Sequence, residues 1–120
     1  MKIHQFLHTS LDVSDLERSI HFFSEILGLT LADRNLNFPG AWYQIGPYQL
    51  HLIVCPPVAQ DVKNAEKWGR NRHIAFSVES VEAARQRLDR HQYPYQMSSS
   101  GRPALFVQDP DGHVVELGEV

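Results

Sequence analysis

Three histidines and one glutamate recur in this sequence at a common spacing. His73 follows His8 by 65 residues and Glu116 follows His51 by the same 65, so each half of the chain offers two donor side chains 43 residues apart. Repeats of this kind mark a duplicated module. Imidazole and carboxylate donors suit Fe(II), Mn(II), Co(II), Ni(II) or Zn(II), and the pattern predicts a divalent metal bound by His8, His51, His73 and Glu116. An octahedral ion held by these groups keeps adjacent positions free. Two neighbouring oxygens of a catecholate, an enediolate or a hydroxy-ketone fit there, because the cation offsets charge developing on oxygen.

The elements that must position these residues follow from local pattern. Asp109-Pro110-Asp111-Gly112 has the chemistry of a tight turn, and in the strand after it Val115 and Leu117 point one way and Glu116 the other. Leu50, Leu52 and Val54 likewise share a face that His51 does not. The chain opens with a strand expected over 3–13. A helix follows, capped by Ser14 with Glu17 in a capping box, carrying an apolar stripe of Leu16, Ile20, Phe23 and Leu27 widened by Phe22 and Ile26, and stopped by Gly28. Strands are expected over 29–34, 41–45 and 48–54. Residues 56–71 link the modules, with room for a short helix over 58–68, and have two readings, an ordinary linker or a lid over a site. The second module repeats the first: a strand over 72–78, a helix capped by Ser80 with Val81, Ala84 and Leu88 inward, and strands over 93–98, 103–108 and 113–117. The plan is α+β, two βαβββ modules (about 1–55 and 72–120) forming a curled sheet around a metal-binding cleft with helices outside, in a single domain over 1–120.

Composition narrows the class. With 42% hydrophobic and 21% charged residues and a net charge of −3, nothing suggests a nucleic-acid patch or a membrane surface. Apolar runs are too short to span a bilayer and the first residues lack a signal peptide's apolar core, so a cytoplasmic protein is expected. The lone Cys55 excludes an internal disulfide and is expected to be a buried, inert thiol. His4 shares strand parity with His8 but would lie ~13 Å from it, too far to share an ion. His21, His91 and His113 have sufficient explanations as exposed or capping residues. Arg102 is a candidate for holding a substrate carboxylate, and Trp42 and Tyr43 for walling the pocket.

Taken together, these motifs resemble the vicinal oxygen chelate superfamily of glyoxalase I, bleomycin resistance proteins and extradiol dioxygenases. The resemblance rests on Val13-Ser14-Asp15-Leu16-Glu17-Arg18-Ser19 with Phe22-Phe23 and Leu27-Gly28-Leu29, on Leu50-His51-Leu52, on Arg72-His73-Ile74-Ala75-Phe76, and on Phe106-Val107-Gln108-Asp109-Pro110-Asp111-Gly112 with Glu116. Gly40-Ala41-Trp42 and Ser100-Gly101-Arg102-Pro103-Ala104 make the short glyoxalase-I-like branch the nearest in character. The resemblance implies paired βαβββ modules, a homodimer, and metal ligands at His8, His51, His73 and Glu116, with the site inside one chain or assembled from modules of two. It implies lyase or isomerase chemistry through an enediolate, with His51 or Glu116 moving the proton. Glyoxalase I proper usually carries glutamate where this sequence has His51. If His51 lies outside the coordination sphere, His8, His73 and Glu116 resemble the triad of an Fe(II) extradiol ring-cleaving dioxygenase, which is also that of fosfomycin-modifying thiol transferases. A non-catalytic binder of a drug or metabolite, as in bleomycin resistance proteins, is the third expectation.

Overall fold

The computed structural model describes residues 1–120 as two compact units, 1–58 and 59–120. Each unit is a βαβββ module built on one four-stranded mixed sheet. In the first, β1 (His8–Val13) runs parallel to β4 (Tyr48–Val54), which continues antiparallel to β3 (Gly40–Ile45) and then β2 (Thr30–Ala32). In the second, β5 (His73–Val78) runs parallel to β8 (Val114–Glu119), followed by β7 (Ala104–Gln108) and β6 (Gln96–Met97).

One face of each sheet is apolar and takes the helix. In the first unit Val13, Ala41, Tyr43, Leu50 and Leu52 are buried together with Phe22, Phe23 and Ile26 of the helical segment. That segment is not the uniform helix expected from the stripe. A short α1 (Leu16–Ile20) passes directly into a π-helical stretch over His21–Ile26, closed by a bond from Leu27 N–H to Phe22 O at 2.9 Å. A wider turn lets the adjacent Phe22 and Phe23 both reach the core, 1% and 0% exposed, while Leu16, Ile20 and Leu27 stay half-buried. Gly28 ends it at φ +79°.

The start of α1 also differs from expectation. Asp15, not Ser14, caps it, its Oδ1 accepting from Arg18 N–H at 3.1 Å. A carboxylate at this point satisfies an orphan amide and complements the helix dipole as well. Residues 1–7, expected to extend the first strand, are exposed and outside the sheet. The helix of the second unit, α2 (Val81–Arg90), matches its signals: Ser80 caps it by accepting from Ala83 N–H at 3.1 Å, and Val81 and Leu88 are buried. The stretch 59–71 holds only a 3-10 turn over Trp68–Arg70. It is tied down rather than loose: Gln96 accepts from Trp68 N–H and donates to Glu66 O, and Gly69 sits so close to Phe106 that a Cβ there would lie 2.5 Å from the ring. Cys55 is exposed, contrary to expectation, because it follows the last residue of β4 and escapes the strand's alternation.

The Asp-Pro-Asp-Gly turn joins β7 to β8 as an antiparallel hairpin, with Gly112 at φ +87° and its N–H bonded to Asp109 O. Asp109 is 4% exposed, and its Oδ1 accepts from Asp111 N–H at 3.0 Å and from His113 N–H at 2.8 Å. Asp109→Ala would leave a buried amide unpaired. We expect a loss of about 1–3 kcal/mol in unfolding free energy, read by urea denaturation.

Candidate functional site

The two parallel strand pairs place the candidate ligands in the same register. In the first unit Ser10 lies opposite His51, two residues beyond His8; in the second Ala75 lies opposite Glu116, two residues beyond His73. Neighbouring strands share a pleat, so His8 and His51 project from the face opposite Leu50 and Leu52. For the same reason His73 and Glu116 project opposite Val115 and Leu117. Within either unit no group of three or more histidine, cysteine, aspartate or glutamate side chains lies close enough to hold a metal ion alone. Each unit supplies one pair.

In the first unit the imidazoles of His8 and His51 stack with centroids 4.0 Å apart, and Trp42, paired with His51 across β3 and β4, stacks on its other side at 4.4 Å. A row of amides fixes the proton on His51. Gln44 Nε2 donates to Gly46 O at 2.8 Å, Gln44 Oε1 accepts from Gln49 Nε2, and Gln49 Oε1 then faces His51 Nε2 at 2.8 Å. Only an Nε2–H satisfies that oxygen, so the free lone pair of neutral His51 is at Nδ1. Burial, the neighbouring His8 and the Arg34 guanidinium all hold the His51 pKa below the ordinary histidine value. The neutral form that a metal or a proton transfer needs is therefore the favoured one.

In the second unit His73 Nδ1 lies 2.7 Å from the carbonyl oxygen of Asn71, which makes Nδ1 the donor and leaves the Nε2 lone pair on the side of Glu116, 3.4 Å from Oε1. The Glu116 side chain is only 12% exposed, yet its two ionic contacts, to His73 and to Arg102 Nη2, are both long at 3.4 Å. A carboxylate this withdrawn from water with no short partner retains its capacity to bind a cation. Phe106, opposite Glu116 on β7, sets its ring edge-on to His73 at 5.7 Å. The two pairs thus each have an aromatic flank at the matching strand position. Their donor sets fit a divalent cation: neutral imidazoles with one nitrogen engaged and one lone pair spare, plus an under-partnered carboxylate.

The remaining candidates divide. Trp42 shares the His51 face. Tyr43, one residue on, necessarily points the other way; it is fully buried, its hydroxyl 2.8 Å from Ser24 Oγ, and it packs the core instead of walling a pocket. Arg102 is 59% exposed in its side chain and reaches Glu116. His113 is not exposed as expected: it is buried, with Nδ1 3.0 Å from Asp61 Oδ2, and Asp61 also accepts from Arg72 Nε at 2.8 Å. Burial works against ionisation of Asp61, but the hydrogen bonds from Arg72 and His113 outweigh it and bring its pKa below the ordinary carboxylate value. Asn71, Gln49 and Phe106 are contributors that sequence reasoning missed. The amide row was the one such feature with a local signal, since Gln49 and His51 alternate onto one face.

The family model of the glyoxalase/bleomycin resistance protein/dioxygenase superfamily matches residues 5–117. The chain belongs to that superfamily. It is 30% identical to the lactoylglutathione lyase of Salmonella typhimurium, over 96% of this chain and 92% of that protein. Among solved structures it is similar to the Leishmania major glyoxalase I, described as trypanothione-dependent, at 29% identity and a TM-score of 0.70, covering 98% of this chain and 87% of that one. FosX, a fosfomycin resistance protein of Listeria monocytogenes, shares the fold at a TM-score of 0.76 with 18% identity, over 98% of this chain and 91% of that one. No helix of this superfamily member is long and apolar enough to cross a membrane.

Because folding lowers the His51 pKa, the unfolded chain binds a proton that the folded chain resists. Its contribution to stability is complete above the ordinary histidine value near pH 6.5 and is lost as pH falls through that value toward the lower folded one. Replacing His51 with Gln should flatten the decline in unfolding free energy between about pH 7 and pH 5, measured by denaturant titration of the metal-free protein.

Proposed function

We propose that this protein is a metal-dependent, glyoxalase-like lyase or isomerase whose divalent cation is held by His8, His51, His73 and Glu116, acting on a small substrate with two neighbouring oxygens. The observation that carries this reading is the shared register of the two ligand pairs, together with the withdrawn, under-partnered carboxylate of Glu116. Relatives named lactoylglutathione lyase support the reaction class. Each pair needs its counterpart, which a homodimer or a single chain would supply.

A cation bound there supplies Lewis acidity toward the substrate's paired oxygens, stabilising negative charge as it develops on them. The chain does the rest. Glu116 takes the proton from the hydroxyl-bearing carbon and returns it to the former carbonyl carbon, while the hydroxyl proton passes to the oxygen that becomes the new hydroxyl, so no net acid or base is consumed. His51 suits that task less well, because Nε2–H is committed to Gln49 and its one lone pair is the one a cation would take. Trp42 and Phe106 add aromatic surface beside His51 and His73.

A second reading has its own observation. The His51 ring is clamped between His8 and Trp42, and if it stays there untouched by the cation, His8, His73 and Glu116 form the two-histidine, one-carboxylate set suited to non-haem iron and ring cleavage of a catechol. A non-catalytic, drug- or metabolite-binding role is the third.

Metal analysis of Glu116→Ala and His73→Ala beside the parent, with turnover of a glutathione hemithioacetal measured with and without oxygen, separates them. The proposal expects roughly tenfold or greater loss of metal occupancy in both variants, turnover by the parent in the absence of air, and turnover reduced on the order of 10²-fold or more in Glu116→Ala. A strict requirement for ferrous iron and oxygen, with catechol cleavage, would favour the dioxygenase. Full metal retention in Glu116→Ala would contradict the ligand set.

A further inference from the structure

We infer that Asn71, a residue that would touch neither substrate nor cation, is the positioning residue that sets the tautomer of His73 and so readies Nε2 for a metal. The inference rests on the reading of His73 as a ligand, but the geometry behind it is independent of any ion. Asn71 is 8% exposed and its side chain is fully engaged. Oδ1 accepts from Lys63 N–H at 2.7 Å and from Asn64 N–H at 2.9 Å, while Nδ2 donates to Asn64 O at 2.9 Å and to Trp68 O at 3.0 Å. Its own N–H bonds to Trp68 O at 3.1 Å. These bonds close the segment 63–71 on itself just before β5.

The carbonyl of the same residue then takes the Nδ1 proton of His73 at 2.7 Å. Neutral imidazole has one N–H, and a backbone oxygen can only accept, so this contact selects the Nδ1–H tautomer and leaves the lone pair on Nε2. The carbonyl's direction depends on the peptide plane after Asn71. That plane is fixed on one side by β5 and on the other by the bonds of the amide side chain. Without them the carbonyl loses its orientation, and the more common Nε2–H form would place a proton where a cation must bind. Gln96 provides an internal comparison, because it tethers the same segment through Trp68 N–H and Glu66 O without involving Asn71.

The test is nitrogen-15 NMR of the metal-free protein with labelled histidine, at a pH where His73 is neutral, since ring nitrogen shifts report which nitrogen carries the proton. The parent should show His73 protonated at Nδ1. Asn71→Ala, with backbone resonances still dispersed, should move His73 to a mixed or Nε2–H state and weaken Co(II) binding by roughly ten- to a hundredfold. Gln96→Ala should leave the tautomer unchanged. An Nε2–H tautomer in the parent, an unchanged tautomer in folded Asn71→Ala, or an equal change in Gln96→Ala would each overturn the inference. If Asn71→Ala does not fold, Asn71→Asp replaces it, retaining both acceptor contacts while losing the two donated bonds, and is judged by the same readout. Should Co(II) not bind the parent at all, the metal reading fails, while the NMR result still decides the role of Asn71.

Discussion

The structure depends on parallel pairing between the first and last strands of each module. A parallel pair cannot be closed by a tight turn, so the chain must leave β1 or β5, cross over through a helix and two further strands, and return beside its starting point. The crossover covers one face of each sheet with an apolar helix, leaving the other face to carry His8 with His51 and His73 with Glu116. A one-residue slip in either pairing would turn one partner into the core and abolish the pair. The buried neighbours Leu50, Leu52, Val115 and Leu117 guard against that slip, because each would be forced toward the ligand face.

Much of this was legible in the sequence because it is locally encoded. The β4 boundaries, the Ser80 cap, the Gly28 stop and the Pro110–Gly112 turn all depend on residues within a few positions of one another. The shared offset of His8 with His73 and of His51 with Glu116 was legible for a different reason: duplication copies register together with residue type. What escaped was decided by competition or by distance. The cap of the first helix falls on Asp15, one residue beyond the expected Ser14, because the helix begins one residue later and presents the Arg18 amide. The apolar stripe already turned Phe22 and Phe23 inward, but its spacing does not distinguish an α-helix from the π-helical stretch over His21–Ile26. Alternation along β3 allows only one of the neighbours Trp42 and Tyr43 on the His51 face, and the pairing of Trp42 with His51 decides which. The Asp61–His113 contact joins residues 52 apart and carries no local signature.

The fold alone leaves the reaction open. Proteins named for fosfomycin resistance and for glyoxalase chemistry present the same architecture as this chain. Discrimination therefore lies in a few side chains. With histidine at position 51, Glu116 is the one carboxylate among the four candidate donors, and under the proposed function proton transfer would fall to it. The surroundings of three of these side chains differ: an amide row stands behind His51, a carbonyl behind His73, and Glu116 has no short ionic partner.

Anomalous diffraction at the iron, manganese, cobalt, nickel and zinc edges, on crystals of protein purified with neither added metal nor chelator, addresses the central claim most directly. The account predicts one ion per site, coordinated by His8 and His51 from a first unit and by His73 and Glu116 from a second. An ion bound elsewhere, or separate ions at the two pairs, would contradict it.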